Sequence, residues 1–175
     1  MLYKICKFCS KSILRSLYFN LFDSHMTYGL PVWGNAHVNN INRIKILQKK
    51  AVRAITNSDY TAHTSPLFKE LNILKFDDQF DNQTSSLLWD LDHDEMPEAL
   101  SSYFTPINEI HRYETRLAAS NMYLVKNANT LHGRISFQIN GTKILNDLKN
   151  TELYNNSWNK QIFLKALKKS VIDHY

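Results

Sequence analysis

Glycine and proline are scarce in this sequence, with four residues of each among 175. Collagen-like, linker-dominated and turn-rich all-β chains need more of both, so these classes are excluded. Also missing are a phosphate loop (GxxxxGK followed by Ser or Thr), a GxGxxG fingerprint, a GxSxG nucleophile elbow and an HExxH zinc motif. With 43% hydrophobic and 12% aromatic residues, the composition is that of a globular protein. The sequence therefore predicts a folded chain without a recognisable catalytic motif.

Cysteine is limited to Cys6 and Cys9, which form a CxxC pair. A tetrahedral zinc site needs two more ligands, and no HxxxH or CxxH pair lies nearby. A redox pair would sit in a βαβ pattern, which this region lacks. Both cysteines are therefore interpreted as small apolar side chains on a helix, in a chain that is intracellular, in nucleus or cytoplasm, and not secreted. Lysines at 4, 7 and 11 interrupt every apolar run, which argues against a signal peptide or a membrane span.

Charge is segregated along the chain, although the net charge is only +5. Residues 1–60 carry nine Lys and Arg against two Asp and Glu, residues 61–98 carry two against nine, and residues 99–175 carry ten against five. One interpretation is a surface at each end of the chain that faces a polyanion. The other is an acidic helix and a basic helix that pair within the fold. The sequence leaves both open.

An aromatic turn at 27–34, with the sequence TYGLPVWG, is predicted to be a rigid structural motif. Gly29 and Gly34 supply backbone freedom, and Tyr28 and Trp33 supply bulk for packing. Either ring could also stack on a nucleobase. For Trp33 we favour a role as the anchor of the turn.

The following segment, 40–56, is predicted to form an amphipathic helix with a basic face. Its apolar positions recur every three or four residues: Ile41, Ile44, Leu47, Gln48, Ala51, Val52 and Ile55. The other face carries five cations and no acidic residue: Arg43, Lys45, Lys49, Lys50 and Arg53. Cations spaced along a helix can neutralise successive phosphates and release their counterions. We therefore expect these five residues to bind nucleic acid.

The remaining patterns predict a mainly α fold. Helices are expected over 2–10, over 12–24 with Ser12 as its cap, from Ser65, over 76–92, over 97–103, over 142–148 and from a Ser157 cap to the end. Residues 134–141 alternate Ile135, Phe137 and Ile139 and close on Asn-Gly, which predicts a strand and turn, and 111–116 is expected to be a loop or edge strand. The predicted architecture is a small helical bundle over 1–92, followed over 93–175 by a mixed segment with a minor β hairpin and a terminal helix.

No group of residues forms a convincing catalytic or metal site. Asp92, Asp94 and Glu95 lack the glycine and the ordered spacing of a calcium loop. Asp77 and Asp78 fall at a helix start, where they favour the helix dipole, whereas a polymerase carboxylate pair lies on a strand turn. His25 and His63 have no identifiable Ser or Cys nucleophile as partner and are interpreted as structural. We predict no catalytic residue and no metal ligand.

Several motifs, in order along the chain, resemble the region after the catalytic palm of non-LTR (LINE-type, jockey-like) retrotransposon reverse transcriptases. They are Leu17-Tyr18, Ser24 to Gly29, Val32-Trp33-Gly34, Leu47 to Arg53, His63 to Phe68, Leu71 to Leu74, His111-x-Tyr113-x-Thr115-Arg116, Gly141-x-Lys143-x-x-Asn146-x-Leu148, and Phe163-Leu164-Lys165-x-x-Leu167-Lys168. Cys6, Cys9, Leu145 and Lys149 depart from the family pattern.

The resemblance implies a thumb over 1–92, which grips the primer–template duplex, followed by the C-terminal segment of the polymerase over 93–175. The family's catalytic aspartates lie upstream, so the expectation is a truncated fragment that is inactive alone. It would lack the palm and fingers domains, and the Mg²⁺ of the parent polymerase. No cofactor is expected in this chain.

Two functions follow from these observations. The first is binding of an RNA–DNA hybrid or another nucleic acid through the basic helix. The alternative is a non-catalytic helical protein-interaction module, whose basic face docks on the acidic 77–98 segment or on an acidic protein. Pairing of Arg43, Lys49 and Arg53 with Asp81, Asp90 or Asp94 would favour the module, and a solvent-open basic face would favour nucleic acid.

Overall fold

The computed structural model describes residues 2–110, 121–151, 154 and 158–175. It is 67% helical with about 1% strand, so the prediction of a mainly α fold is confirmed. A π-helical segment, Tyr18–Asp23, joins the helices Lys11–Leu17 and Ser24–Thr27. The helices in chain order are α1 (Leu2–Ile5), α2 (Lys11–Leu17), α3 (Ser24–Thr27), α4 (Leu30–Trp33), α5 (Val38–Thr56), α6 (Ser65–Leu71), α7 (Phe76–Asp92), α8 (Glu98–Ser101), α9 (Ile107–Ile110), α10 (Leu131–Arg134), α11 (Phe137–Lys149) and α12 (Lys160–Asp173).

The chain divides into two compact units. The first comprises residues 1–80 and 168–175, and the second comprises 81–167. The predicted division at residue 92 separates two regions of a polymerase, not two compact units, and it stays a prediction. Within the described ranges, no helix combines the length and the apolar character needed to cross a membrane.

The core of the first unit lies where α2, the π-helical segment, α5 and α6 pack together. Burying each large apolar side chain there contributes about 1.5–3 kcal/mol. The buried residues of this core are Leu14, Tyr18, Ala51, Val52, Ile55, Phe68, Leu71 and Ile73. This core fixes which face of α5 remains at the surface.

Polar residues set the ends of these helices. The cap of α2 is Ser10, whose hydroxyl accepts a hydrogen bond from the Ile13 amide, and the prediction of Ser12 is wrong. Asn72 ends α6 in the left-handed region with φ 55°, and the Ile73 amide donates back to the Phe68 carbonyl at 3.0 Å. Pro66 lies in the first turn of α6, where its missing N–H costs nothing.

The last residues of the chain complete the first unit. The Tyr175 hydroxyl accepts a hydrogen bond from the Lys75 amide at 2.8 Å and donates one to Asp78. The Lys75 ammonium lies 3.8 Å from the centre of the same ring. Lys69 donates to the Asp173 carbonyl at 2.8 Å. These contacts join residues about a hundred positions apart in sequence.

In the second unit, a charged network covers the end of α7. Asp92 accepts hydrogen bonds from Lys149 and from the Tyr154 hydroxyl, the latter at 2.6 Å. The Lys149 side chain is only 7% exposed, and it also donates to the Asn121 carbonyl at 2.7 Å. Because the pair is nearly buried, each charge depends on the other for compensation. Asp92 therefore has a structural role.

The predicted strand over 134–141 is wrong, because Phe137–Lys149 forms the helix α11. Alternation over five residues fits a strand or a helix, and the longer pattern decides. Ile139, Thr142 and Leu145 are buried at a helical spacing. Gly141 lies within this helix rather than at a turn, and a Cβ there would make an ordinary contact with Leu88 Cδ2 at 3.4 Å. The described residues contain no β hairpin, only an isolated bridge between Pro106 and Tyr123.

The Tyr123 hydroxyl is expected to lose its proton at a higher pH than an exposed tyrosine. Burial first, and then the carboxylates of Asp92 and Asp94, raise its pKa to about 12. The folded state then keeps a proton that the unfolded state loses near pH 10, so the stability of the second unit falls as pH rises from about 10 to 12. The difference in phenolate absorbance between the native protein and Tyr123→Phe measures this. A midpoint near 10 would contradict it.

Candidate nucleic-acid interface

The basic segment forms one uninterrupted helix, α5, of 19 residues. At 1.5 Å per residue it is about 28 Å long. His37 caps its start, because its Nδ1 accepts a hydrogen bond from the Asn39 amide at 3.3 Å. Asn57 ends it in the left-handed region with φ 52°. The helix is thus long enough to present cations over several turns.

Gln48 fixes the inner face of α5 and is only 2% exposed. Its Nε2 donates to the Tyr18 hydroxyl at 3.0 Å and to the Leu74 carbonyl at 2.9 Å. Its Oε1 accepts from the Phe76 amide at 3.0 Å. The donor and the acceptor of the Gln48 side-chain amide therefore both have hydrogen-bond partners, as a buried amide requires.

Most of the predicted inner face is confirmed. The residues buried on α5 are Ile41, Gln48, Ala51, Val52, Ala54 and Ile55. Leu47 was predicted to be buried, but it is 54% exposed, and Ile46 beside it is 51% exposed. Ile44 is half-buried. The outer face of α5 is therefore basic and partly apolar.

Three of the five predicted cations form the open part of this outer face. Arg43 and Lys49 are exposed and Lys50 is half-buried. In the part of the chain that the structure describes, no ion pair joins these three residues to a carboxylate. We call Arg43, Lys49 and Lys50 the basic face.

The other two cations have partners within the first unit. Lys45 pairs with Asp77 at 2.7 Å, and the two side chains are 31% and 67% exposed. A pair this exposed contributes less than about 1 kcal/mol, so it leaves Lys45 able to exchange partners. The Arg53 Nε donates to the Ala62 carbonyl at 2.9 Å, which fixes the guanidinium near the end of α5.

The aromatic turn lies in the same unit and has one buried side and one exposed side. Gly29 takes φ 62°, which favours glycine. The Trp33 indole donates to the Tyr28 carbonyl at 2.8 Å, and its ring packs 5.7 Å from that of Phe76. Gly34 lies against Phe80. Tyr28 itself is 85% exposed, so Trp33 anchors the turn while the Tyr28 ring faces solvent.

Acidic residues near these elements have structural partners. Asp77 and Asp78 lie in the first turn of α7 and contact Lys45 and Tyr175. Asp90 pairs with Lys160 rather than with a residue of α5. Among the described residues, no group of three or more His, Cys, Asp and Glu is arranged to hold a metal ion.

Other candidates lie outside these contacts. His25 and His63 are exposed, and Cys6 and Cys9 are half-buried against the first core. Residues 111–116 and Ser157 lie outside the described residues.

Sequence reasoning missed Tyr60, which lies just after α5 and is 66% exposed. Its ring centre is 6.0 Å from the Arg53 guanidinium carbon. The sequence feature that could have indicated Tyr60 is its position as an aromatic residue in a polar loop directly after a basic helix.

No family model and no solved structure matches the sequence. The chain is similar to a curated protein of Drosophila melanogaster, described as a probable RNA-directed DNA polymerase from transposon BS. The two are 35% identical over 71 residues, which is 41% of this chain and 8% of that polymerase. The match supports a region of a retrotransposon reverse transcriptase.

The matched region thus spans only about a twelfth of the length of that polymerase. The similarity agrees with the polymerase family that the sequence motifs indicate. The match does not distinguish the jockey-like group or the thumb, and both assignments are proposals.

Proposed function

We propose that this chain is the thumb region and the following C-terminal segment of a jockey-like, non-LTR reverse transcriptase. It binds primer–template nucleic acid, such as an RNA–DNA hybrid, through α5. The observation that carries the proposal is the basic face, in which Arg43 and Lys49 are exposed, Lys50 is half-buried, and none pairs with a carboxylate among the described residues. The partial similarity to a transposon polymerase supports the same proposal.

Catalysis is assigned elsewhere in the parent polymerase. We assign no catalytic residue and no cofactor to these 175 residues, and we place Mg²⁺ with the palm and fingers domains as part of the proposal. Binding would take place inside the cell, in nucleus or cytoplasm. The role of this chain is then to hold a duplex by its phosphates, which gives affinity without sequence preference.

Lys49→Ala combined with Lys50→Ala is expected to weaken binding of an RNA–DNA hybrid about 10-fold or more at low salt. Each lost phosphate contact lowers the number of counterions that are released on binding. The slope of log K against log salt should therefore become shallower by about 2. Fluorescence anisotropy over a salt series measures both quantities. Neither lysine lies in the core, so the unfolding temperature of the variant should equal that of the native chain.

Lys143→Ala combined with Lys165→Ala is the matched control, because it removes the same charge from exposed helical positions of the second unit. We expect it to leave the affinity within about 2-fold, because lysines that contact no phosphate release no counterions on binding. A flat salt dependence of the native chain, or equal losses in both variants, would contradict the proposal. The protein-interaction module, which exposed Ile46 and Leu47 favour, would then be the better candidate.

A further inference from the structure

A second kind of contact surface begins where the basic face ends. Tyr60 follows α5 by four positions, and two thirds of its side chain is open to solvent. The Arg53 guanidinium carbon lies over the Tyr60 ring, 6.0 Å from its centre, so a cation faces one side of the aromatic ring. An exposed ring with a fixed guanidinium over one face is unlike an isolated surface tyrosine, because the cation restrains the ring while most of the residue stays open to solvent.

The same turn holds both groups in place. The Ala62 amide donates to the Asp59 carbonyl at 3.0 Å, which closes a turn around Tyr60. The Ala62 carbonyl in turn accepts the Arg53 Nε at 2.9 Å. The backbone of this turn and the Arg53 side chain are therefore ordered before any ligand arrives, which lowers the entropic cost of binding.

We propose that Arg53 and Tyr60 form a stacking subsite for one unpaired nucleobase, adjoining the basic face of α5. The inference rests on the proposed function and adds a substrate class to it: nucleic acid with a single-stranded segment, in preference to a blunt duplex. Bases inside a duplex are already stacked on their neighbours and cannot offer a free face to Tyr60. An unpaired base has such a face, and stacking tolerates any sequence.

The charges beside Tyr60 are one cation, Arg53, and one anion, Asp59, so a phosphate gains little net attraction at this position. Asp59 precedes Tyr60 and is exposed, so it disfavours a phosphate beside the ring. Lys49 and Lys50 precede Arg53 by four and three residues, about 6 and 4.5 Å along the helix axis. A strand whose phosphates contact these lysines therefore places its next base close to the Arg53 and Tyr60 pair.

Tyr60→Ala tests the subsite in the full chain, with a labelled short oligothymidylate and a blunt DNA duplex as probes. We expect the affinity for oligothymidylate to fall about 10-fold, the effect of one lost base–aromatic stack. Affinity for the blunt duplex should change less than about 2-fold. The salt slope should stay the same, because stacking releases no counterions. Tyr60→Phe should retain native affinity, since the ring and not the hydroxyl makes the contact.

Tyr103→Ala is the control, because Tyr103 is a similarly exposed tyrosine of the second unit, 56% open to solvent. Equal losses for Tyr60→Ala and Tyr103→Ala would overturn the subsite, as would an unchanged affinity of Tyr60→Ala for oligothymidylate. In either case the proposed function stands if the paired Lys49 and Lys50 variant still weakens binding. If the native chain binds neither these probes nor the RNA–DNA hybrid at low salt, both proposals are wrong.

Discussion

Gly34→Ala is expected to destabilise the first unit by about 3 kcal/mol or more, because a methyl group at this position meets packed atoms on two sides. A Cβ there would lie 2.7 Å from the Leu30 carbonyl oxygen and 2.8 Å from Phe80 Cε2. Phe80 is only 7% exposed and cannot swing into solvent without opening the core. Urea unfolding, followed by tryptophan fluorescence and circular dichroism, measures the loss.

Gly29→Ala provides a graded comparison within the same turn. Gly29 takes φ 62°, but the nearest atom to an added Cβ is Trp33 Cδ1 at 4.0 Å. The cost there is conformational alone, about 1 kcal/mol. Equal destabilisation by the two substitutions, or a smaller effect at Gly34, would show that the contact with Phe80 is not what requires glycine.

Gln48→Leu is expected to cost about 3–5 kcal/mol, although leucine has a similar volume and is more apolar. The substitution leaves the Tyr18 hydroxyl, the Leu74 carbonyl and the Phe76 amide without their partner. Each buried polar group left unpaired costs about 1–3 kcal/mol, and apolar contact offsets only part of the sum. The free energy of unfolding in urea is the measurement.

Gln48→Glu separates hydrogen bonding from packing, because glutamate has nearly the shape of glutamine. A carboxylate still accepts from the Phe76 amide but cannot donate to the Leu74 carbonyl, whereas the protonated acid can. Burial raises the folded-state pKa of such an acid above its unfolded value of about 4.3. The variant should therefore lose stability relative to the native chain as pH rises above about 4. A deficit that does not depend on pH would mean that the donor contacts contribute little.

The helices with long periodic patterns could be predicted from sequence with close bounds, whereas the first part of α11 could not. The span of α7 was predicted residue for residue, and α5 was predicted within two residues at its start. Both have enough turns for the 3.6-residue period to exclude a strand. At the start of α11 the alternation of Ile135, Phe137 and Ile139 covers too few residues to exclude a helix, and Gly141 lies within that helix rather than at a turn.

Burial and pairing on α5 were less accessible to prediction. Leu47 satisfies the helical period, but the core packs against Ala51, Val52 and Ile55 and leaves it exposed. The pair of Lys45 and Asp77 joins residues 32 positions apart, so nothing in the local pattern distinguishes Lys45 from Lys49. The contact of Tyr60 with Arg53 depends on the turn that follows α5, which composition alone does not specify.

The discontinuity of the first unit constrains the order in which the chain can fold. The hydrogen bonds of Tyr175 with Lys75 and Asp78 close a chain loop that contains all of residues 81–167. Closing a flexible loop of this length costs about 4 kcal/mol of chain entropy. During synthesis from the N-terminus, residues 1–80 leave the ribosome long before Lys168–Tyr175 and must wait for them. The second unit is continuous in sequence, so it is free to form its own core during that interval.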